Sequence, residues 1–362
     1  MSIKYRGFSD LVRKNLELND EEFRAHKVIL ESYPIKIYVE PTQKCNLKCI
    51  TCYPGRRTEK NDMPMDLFKQ IEQQLFGHVA EVDFFLTGEP LLAKNFEKMM
   101  QTSSQYTFLP KIFTNGTFLP ENIADLLVRL GFFVNISFDA PVKSSFEKIR
   151  VGADFDAIIK NIKKLNSLQQ KLGSERFHLR LASTLGTYNI KEAPKIIEFG
   201  AELGIKDIMF GSVDGAPKWS LAYDVETSIY YLKKSKEIAD KNKIRFSCPK
   251  RVGNRIIKEN NNWNDFSLPV DKYAPLELES FNPYNGDCGY PWIESAIRAN
   301  SLVVSCCQRE HPMGDLNHHS FQEIWNNERY QQLRSQKLFY RCLGEKCNMA
   351  VYSIWNGAAR RF

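Results

Sequence analysis

The chain of 362 residues is 43% hydrophobic and 26% charged, a composition that is typical of folded globular proteins and excludes a disordered or fibrous one. Its formal net charge is +7, but the Lys and Arg residues are scattered rather than gathered in one stripe, so the charge favours an anionic partner such as nucleic acid only weakly. No apolar run approaches the roughly eighteen residues of a membrane span, and the charged N-terminal stretch lacks the apolar core of a signal peptide.

Short β-rich runs alternate with helical segments after residues 1–34, which we expect to form a helical N-terminal extension. This alternation predicts βα units around a parallel sheet, an α/β fold. About six units without a twofold break favour a partial (βα)6 TIM-like barrel over residues 35–248 rather than a doubly wound sheet, although periodicity fits both. The predicted strands are residues 35–40, 81–86, 111–114, 132–138, 177–183 and 205–211.

Three segments of this region have apolar residues at helical spacing. They are residues 65–75, residues 193–204 and a segment near 225–242, and Gly204 is placed to cap the second of them. An additional strand beyond the sixth unit would end near Cys248. None of these helices needs a functional explanation.

The C-terminal part of the chain differs in composition from the barrel region. Residues 249–284 are rich in Asn and Pro and show no period, which predicts a linker. Residues 285–362 contain five cysteines but too few apolar residues for an independent core. We therefore expect a small C-terminal α+β domain that a metal centre holds together.

Cysteines are the most informative residues of this chain. There are nine, and without an export signal they predict a cytoplasmic protein whose thiolates bind metals or perform chemistry. Cys45, Cys49 and Cys52 follow the first predicted strand, with no further Cys or His close behind them. A structural zinc site takes four such ligands. A [4Fe–4S] cluster held by three thiolates leaves one iron open, which S-adenosylmethionine (SAM) could chelate. From the spacing alone, zinc remains an alternative.

The stretch CNLKCITC resembles the Cys-x3-Cys-x2-Cys signature of radical SAM enzymes, which lies on the loop after the first strand of a partial barrel. Three further turns resemble that family in the same order along the chain. They are GEP after the second predicted strand, TNG after the third and Ser-x-Asp after the fourth. The resemblance implies a [4Fe–4S] cluster on the three cysteines with SAM at its open iron.

The same resemblance implies which residues contact SAM. Gly88 and Glu89 would lie at the methionine amino group, Ser137 at the ribose and Arg150 at the methionine carboxylate. We expect Asn115 and Phe210 to contact the cofactor as well. Two residues depart from the family pattern, since Thr51 stands where an aromatic residue is common and Thr87 replaces the first of two glycines. Both departures affect cofactor packing rather than the ligand set.

The C-terminal cysteines, with a Gly-Asp-Leu turn and the segment FQEIWNNERYQQLR, which we expect to form one helix, resemble SPASM or twitch auxiliary-cluster domains. The full SPASM pattern has seven cysteines, so the smaller number here implies one auxiliary [4Fe–4S] cluster. Cys307 competes with Cys306 as a ligand because strand register decides which thiol faces inward. Structural zinc is an alternative for this site. The expected ligands are Cys288, Cys306, Cys342 and Cys347.

By this resemblance the protein cleaves SAM reductively to a 5'-deoxyadenosyl radical that takes a hydrogen atom from a substrate carbon. The expected reaction is oxidative, a dehydrogenation or cross-linking of a peptide or a sugar-like small molecule, with the auxiliary cluster as electron acceptor. A flavodoxin- or ferredoxin-type donor would supply the electron. We expect substrate contacts from Asp139, the turn at 211–215 and the Asn-rich linker. The short segment before the first strand disfavours a winged-helix module for leader peptides.

Two other functions are compatible with the sequence. Cys248 would serve a radical epimerase as hydrogen-atom donor, although a buried apolar thiol is the default reading of an isolated cysteine. A noncatalytic, metal-stapled binding module is the second alternative. The interleaved basic and aromatic residues of single-strand nucleic-acid binders are missing from the sequence.

Overall fold

The computed structural model describes residues 7–52, 60–213, 217–249, 251–252, 255–256, 289–307, 312–336, 341–342 and 345–346. Its strands form one ten-stranded sheet and two short hairpins. In chain order the strands are β1 Lys36–Val39, β2 Glu81–Asp83, β3 Leu109–Thr114, β4 Phe133–Ser137, β5 His178–Leu185, β6 Asp207–Ser212, β7 Arg245–Ser247, β8 Arg251–Val252, β9 Arg255–Ile256, β10 Glu294–Ile297, β11 Leu302–Val304, β12 Pro312–Asp315, β13 Arg341–Cys342 and β14 Glu345–Lys346.

Helices connect the parallel strands and cover the outer face of the sheet. A π-helical turn, Glu72–Phe76, extends the second helix. Within the described part of the chain, none of the helices has both the length and the apolarity needed to cross a bilayer. The helices are α1 Asp10–Arg24, α2 Met65–Ile71, α3 Phe96–Ser103, α4 Glu121–Arg129, α5 Lys143–Ile149, α6 Phe155–Leu172, α7 Ala193–Glu202, α8 Val225–Lys241, α9 Tyr290–Ile293, α10 Phe321–Trp325 and α11 Glu328–Gln336.

Strands β1 to β7 lie side by side in chain order and pair in parallel. This confirms the α/β barrel-type fold and all six predicted strands. Alternate residues of each strand belong to the apolar layer beneath the helices, as Val134 and Ile136 do on β4. Asn135 and Ser137 therefore lie on the opposite, inner face.

The inner face at the start of the strands carries buried charges rather than an apolar core. Lys36 lies 3.0 Å from both Glu81 and Asp83, and Lys111 lies 2.6 Å from Glu81. On the same face several strands away, Asp207 of β6 accepts two hydrogen bonds of 2.9 Å from Arg180 of β5. Paired charges in this position stabilise the floor of the barrel only while both partners are present.

The C-terminal segment adds its strands to the same sheet. Strand β10 pairs in parallel with β1, in the register Lys36 with Glu294, and β11 and β12 follow it antiparallel. The order across the sheet is β12-β11-β10-β1-β2-β3-β4-β5-β6-β7. The strand that leads into the cysteine loop therefore lies inside the sheet, with the C-terminal segment on its other side. The residue limits of the domains remain a prediction.

The expected N-terminal extension contains helix α1, and two of its buried amides fasten it to the rest of the chain. Asn15 donates to the backbone oxygens of Tyr33 and His78, each at 3.1 Å. Asn19 donates to the backbone oxygen of Trp292 at 2.8 Å. Helix α1 thus bridges the barrel and the C-terminal segment.

The predicted continuous helix FQEIWNNERYQQLR is two helices, α10 and α11. Asn326, at the break, donates its side-chain amide to the Leu30 oxygen and accepts from the Leu30 amide. Asn327 accepts a hydrogen bond from the Tyr330 amide and so caps α11. Side-chain bonds to backbone compete with the helix at this point, which the helical period alone does not reveal.

Candidate active site

The loop after β1 carries the three cysteines, and a second segment of chain holds it by backbone hydrogen bonds. The Lys48 amide donates to the Val151 oxygen at 2.8 Å, and the Ile50 amide donates to the Ile149 oxygen at 2.9 Å. These bonds fix the loop against the end of α5. The predicted position, at the carboxyl end of the first strand, is the position observed.

The three thiols act on one another electrostatically. Burial raises the pKa of the Cys49 thiol, the Arg150 guanidinium acts in the opposite direction, and Cys45 and Cys52 add to the rise. Burial likewise raises the pKa of Cys45, whose sulfur accepts from the Leu47 amide at 3.5 Å. Among the described residues, no three His, Cys, Asp or Glu side chains converge as they would around a single metal ion. Three neighbouring thiols with one basic side chain are a donor set that fits a cluster with one open iron.

Gly88 lies against the backbone that leads into the cysteine loop. A Cβ atom at this position would be 2.3 Å from the Thr42 oxygen and 2.7 Å from the Lys44 oxygen. The Glu89 amide donates to the Lys44 oxygen at 2.8 Å. Only glycine permits this approach, so the turn after β2 and the cysteine loop form one unit.

Glu89 is buried, and its carboxylate ties the turns after β2 and β3 together. It accepts from the Thr114 hydroxyl and the Asn115 amide, each at 2.6 Å, and from the Leu91 amide at 3.2 Å. Burial raises the pKa of Glu89 to about 7, against these hydrogen bonds, which lower it. The carboxylate is therefore poised to accept a proton near neutral pH, and it holds its neighbours through at least one oxygen in either state.

Asn115 connects the turn after β3 to the cysteine loop. Its side-chain amide donates to the Asn46 oxygen at 2.9 Å and lies 4.0 Å from the Cys45 sulfur. Its oxygen accepts from Thr117, and the following Gly116 has a φ of 71°, which favours glycine. The structure thus brings Asn115, Glu89 and Gly88 together around Cys45. Asn46, in the middle of this contact, is a residue that the sequence analysis missed.

Arg150 lies between an acid and the cysteine loop. Its Nε atom is 2.8 Å from an Asp139 oxygen, and another of its nitrogens is 4.0 Å from the Cys49 sulfur. Asp139 also accepts from the Thr184 amide at 2.7 Å. Because Asp139 is fully buried and holds Arg150, its expected substrate contact is not supported.

The remaining expected contacts lie in different places. Ser137 ends β4 on the inner face of the sheet and is half-buried, a position open to the barrel. Phe210 is fully buried in the apolar layer under the helices, where its ring packs edge-on against Phe246. Cys248 belongs to the same layer and its thiol donates to the Pro249 oxygen at 3.7 Å. The structure does not bring Phe210 or Cys248 to the cysteine loop.

Two neighbouring cysteines of the C-terminal segment are described, and they act on different tyrosines. Burial raises the pKa of Tyr330, on α11, and Cys306 acts in the same direction. Burial raises the pKa of Tyr38, on the inner face of β1, and Cys307 acts in the same direction there. Cys307 packs with the small apolar cluster that contains Tyr38. Cys288, Cys347 and the Cys342 side chain lie outside the described residues, as do most of the linker and residues 214–215.

Glu40, directly after β1, is a second residue that the sequence analysis missed. Its carboxylate accepts from the backbone amide of Thr87 at 3.1 Å, from the Thr87 hydroxyl and from the Ala299 amide at 3.1 Å. The available signal was a carboxylate directly after the apolar residues 37–39 of the first strand, where burial is costly unless the group is hydrogen-bonded.

Two family models match separate parts of the chain. The model of the radical SAM superfamily matches residues 39–179, and the model of the SPASM iron–sulfur cluster-binding domain matches residues 288–349. The first interval contains the cysteine loop and the three turns that resemble the family. The second contains β10 to β14 and the C-terminal cysteines.

Relatives of known name match at low identity. A tungsten-containing aldehyde ferredoxin oxidoreductase cofactor-modifying protein of Pyrococcus furiosus is 25% identical over 54% of this chain and 61% of its own length. The sporulation killing factor maturation protein SkfB of Bacillus subtilis is 23% identical over 87% of this chain and 71% of its own length. The chain spans only 37% to 61% of the first curated relatives that it matches.

The fold is similar to that of solved structures. Streptococcus suis SuiB, in a crystal structure with its precursor peptide SuiA, aligns with a TM-score of 0.65 and 17% identity over 89% of this chain and 70% of that chain. At this identity the likeness concerns the fold alone.

Proposed function

Because this chain is a radical SAM enzyme with a SPASM domain, whose cofactors are [4Fe–4S] clusters and SAM, we propose that it modifies a peptide by oxidation. In the proposed reaction a peptide carbon loses a hydrogen atom to the 5'-deoxyadenosyl radical, then a proton to solvent and an electron to an auxiliary cluster. One observation supports this proposal most strongly: the cysteine loop, the Gly88-Glu89 turn and the Asn115 turn form a single unit. In this unit the turns after β2 and β3, with their buried polar groups, lie against the loop that carries the three cysteines.

The residues of this unit hold and orient the reactants. When bound, the reduced cluster and SAM supply the 5'-deoxyadenosyl radical. Cys45, Cys49 and Cys52 provide the thiolates, and the bonds to residues 149–151 keep their loop in place. Glu89 fixes two turns from a position where it is able to accept from an ammonium group. Ser137 lies at the carboxyl end of β4, where we assign it to the ribose.

Arg150 has the charge and the position for the methionine carboxylate. It lies 4.0 Å from the Cys49 sulfur, and Asp139 fixes its orientation from the opposite side at 2.8 Å. A guanidinium fixed in this way binds a carboxylate with less loss of side-chain entropy than a free one. Asn115, near Cys45, completes the proposed cofactor contacts on the other side of the loop.

A peptide substrate is supported by the extent of the sequence match. SkfB, a maturation protein by name, aligns over 87% of this chain, and SuiB, crystallised with a precursor peptide, shares the fold. A relative named for a small substrate, 2-deoxy-scyllo-inosamine dehydrogenase of Niallia circulans, aligns over only 34% of this chain. An alignment over 87% of this chain is long enough to extend into the C-terminal domain. In that domain we propose that Cys288, Cys306, Cys342 and Cys347 bind the auxiliary cluster.

The test is reconstitution without oxygen, followed by incubation with SAM, a flavodoxin or ferredoxin reductant and peptides encoded by neighbouring genes. We expect peptide-dependent 5'-deoxyadenosine, a peptide lighter by two hydrogens, and deuterium transfer from a labelled peptide to 5'-deoxyadenosine. The variant with Cys45, Cys49 and Cys52 all changed to Ala should form none of these products. A peptide that keeps its mass in ordinary water but gains one deuterium in heavy water would contradict the oxidation. Zinc without iron would contradict the whole proposal.

A further inference from the structure

Glu40 makes two sets of hydrogen bonds that lead in opposite directions. It lies directly after β1 and its side chain is 0% exposed. One carboxylate oxygen accepts from the amide and hydroxyl of Thr87, on the barrel side. The other accepts from the amide of Ala299, on the C-terminal side, at 3.1 Å. Both oxygens are therefore used, each by a different part of the molecule.

On the barrel side, Thr87 is the residue directly before Gly88. Gly88 lies so close to the Thr42 and Lys44 oxygens that the turn has no room to shift without moving the cysteine loop. The position of the Thr87 amide therefore fixes where Gly88 and the following turn lie. Glu40 thus holds the proposed SAM-binding turn from behind.

On the C-terminal side, Ala299 begins the turn between β10 and β11. That turn is closed by bonds from the Ser301 amide to the Arg298 oxygen and from the Arg298 amide to the Leu302 oxygen. Strand β11 leads directly to Cys306 and Cys307. A displacement of the auxiliary-cluster segment would therefore reach Ala299, and through it the Glu40 carboxylate.

Burying a carboxylate between two loops costs free energy, because the charge loses its hydration. Burial raises the pKa of Glu40, whereas the hydrogen bonds from Thr87 and Ala299 and the charge of Arg298 oppose the rise. An uncharged side chain fills such a site at lower cost, but an amide accepts on one side only. Simultaneous acceptance on both sides uses both oxygens of a carboxylate, and the nearby Arg298 cation also favours the charged form.

We propose that Glu40 is a positioning residue that couples the C-terminal auxiliary-cluster domain to the SAM-binding turn. The coupling rests on the proposed function, since it needs SAM at the Gly88-Glu89 turn. It acts through Thr87 on one side and Ala299 on the other. Glu40 itself touches neither SAM nor a cluster.

The test compares Glu40→Gln with the wild type, both reconstituted with iron and sulfide. The variant accepts on one side only, so we expect about tenfold weaker SAM binding with unchanged iron content, the effect of losing one buried hydrogen bond to a charged group. Amide hydrogen exchange of residues 84–92 should become faster. Cys342→Ala should weaken SAM binding in the wild-type background but leave it unchanged beside Glu40→Gln.

Glu22→Gln is the matched control. Glu22 is also buried and accepts from the Glu31 and Ser32 amides, but only within the N-terminal extension. We expect it to lower the melting temperature without changing SAM affinity or exchange at residues 84–92. If Glu40→Gln does not fold, Thr87→Val removes one donor with little change in shape and should weaken SAM binding in the same direction.

The outcomes separate the two proposals. Wild-type SAM affinity and unchanged exchange in Glu40→Gln, or in Thr87→Val, would overturn the coupling. The coupling would also be overturned if Cys342→Ala weakened SAM binding equally in the wild type and in Glu40→Gln. A reconstituted wild type that binds iron but no SAM would instead contradict the proposed function.

Discussion

Replacing Gly88 by Ala should disable the site through a backbone collision. The added Cβ would lie 2.3 Å from the Thr42 oxygen, whereas real Cβ atoms essentially never come within 3.0 Å of a heavy atom to which they are not bonded through the neighbouring chain. The two groups must therefore separate by at least about 0.7 Å, the difference between these distances. Both contacts are to backbone, so no side chain is able to rotate away, and the shift passes to the loop that carries Cys45.

Misplacement of reacting groups on the order of 1 Å costs roughly a hundredfold in rate. We therefore expect Gly88→Ala to form 5'-deoxyadenosine about a hundredfold more slowly, measured by chromatography after anaerobic reconstitution. The matched control is Gly77→Ala, where the new Cβ meets only the tip of the Leu11 side chain at 3.3 Å and φ is −71°. A Gly88→Ala protein with the iron content and turnover of the control would refute the reasoning.

Three other changes have defined outcomes. Arg150→Met leaves the buried Asp139 without its cation and should cost about 3 to 5 kcal/mol in chemical unfolding; adding Asp139→Asn should restore stability but not SAM affinity. Asp207→Asn should destabilise the protein at pH 7. Burial raises the Asp207 pKa, but the arginine and histidine partners hold it at about 2, so about 2 kcal/mol of wild-type stability is present above pH 4 and lost towards pH 2. Cys306→Ala should remove about four irons per chain, and Cys307→Ala should remove none.

Each of these predictions has an opposite result that would contradict it. Full SAM affinity in the Arg150 and Asp139 double variant would exclude the proposed carboxylate contact. If the difference in unfolding free energy between wild type and Asp207→Asn stays constant between pH 7 and pH 2, titration of Asp207 does not contribute to stability. Iron loss in Cys307→Ala but not in Cys306→Ala would show that Cys307, and not Cys306, is the cluster ligand.

The sequence predicted the elements that depend on neighbouring residues. Strands such as 177–183 and helices such as 193–204 follow from short apolar periods, and the turns at Gly88 and Asn115 follow from motifs of a few residues. These patterns placed the cysteine loop and the three turns around it before any tertiary contact was known. Periodic patterns and short motifs of this kind are the features that are most directly predictable from a sequence.

Contacts between distant segments were not predictable in the same way. The pairing of β10 with β1 depends on which edge the C-terminal segment meets, and no local pattern specifies an edge. Phe210 was predicted to contact the cofactor. Phe210 and its neighbour Met209 lie on opposite faces of β6, and only tertiary packing decides which of the two faces the inside of the barrel. The Asp139 to Arg150 pair also required the fold, since either charge alone suits a solvent-exposed loop.

The insertion of β1 between β2 and β10 sets an order of events during synthesis. Until the ribosome has synthesised β10, one side of β1 presents unpaired amide and carbonyl groups, an edge with which other strands are able to pair. A pairing that spans more than two-thirds of the chain also closes slowly. The nascent chain therefore exposes an unpaired strand edge next to the cysteine loop during the time between the synthesis of β1 and that of β10.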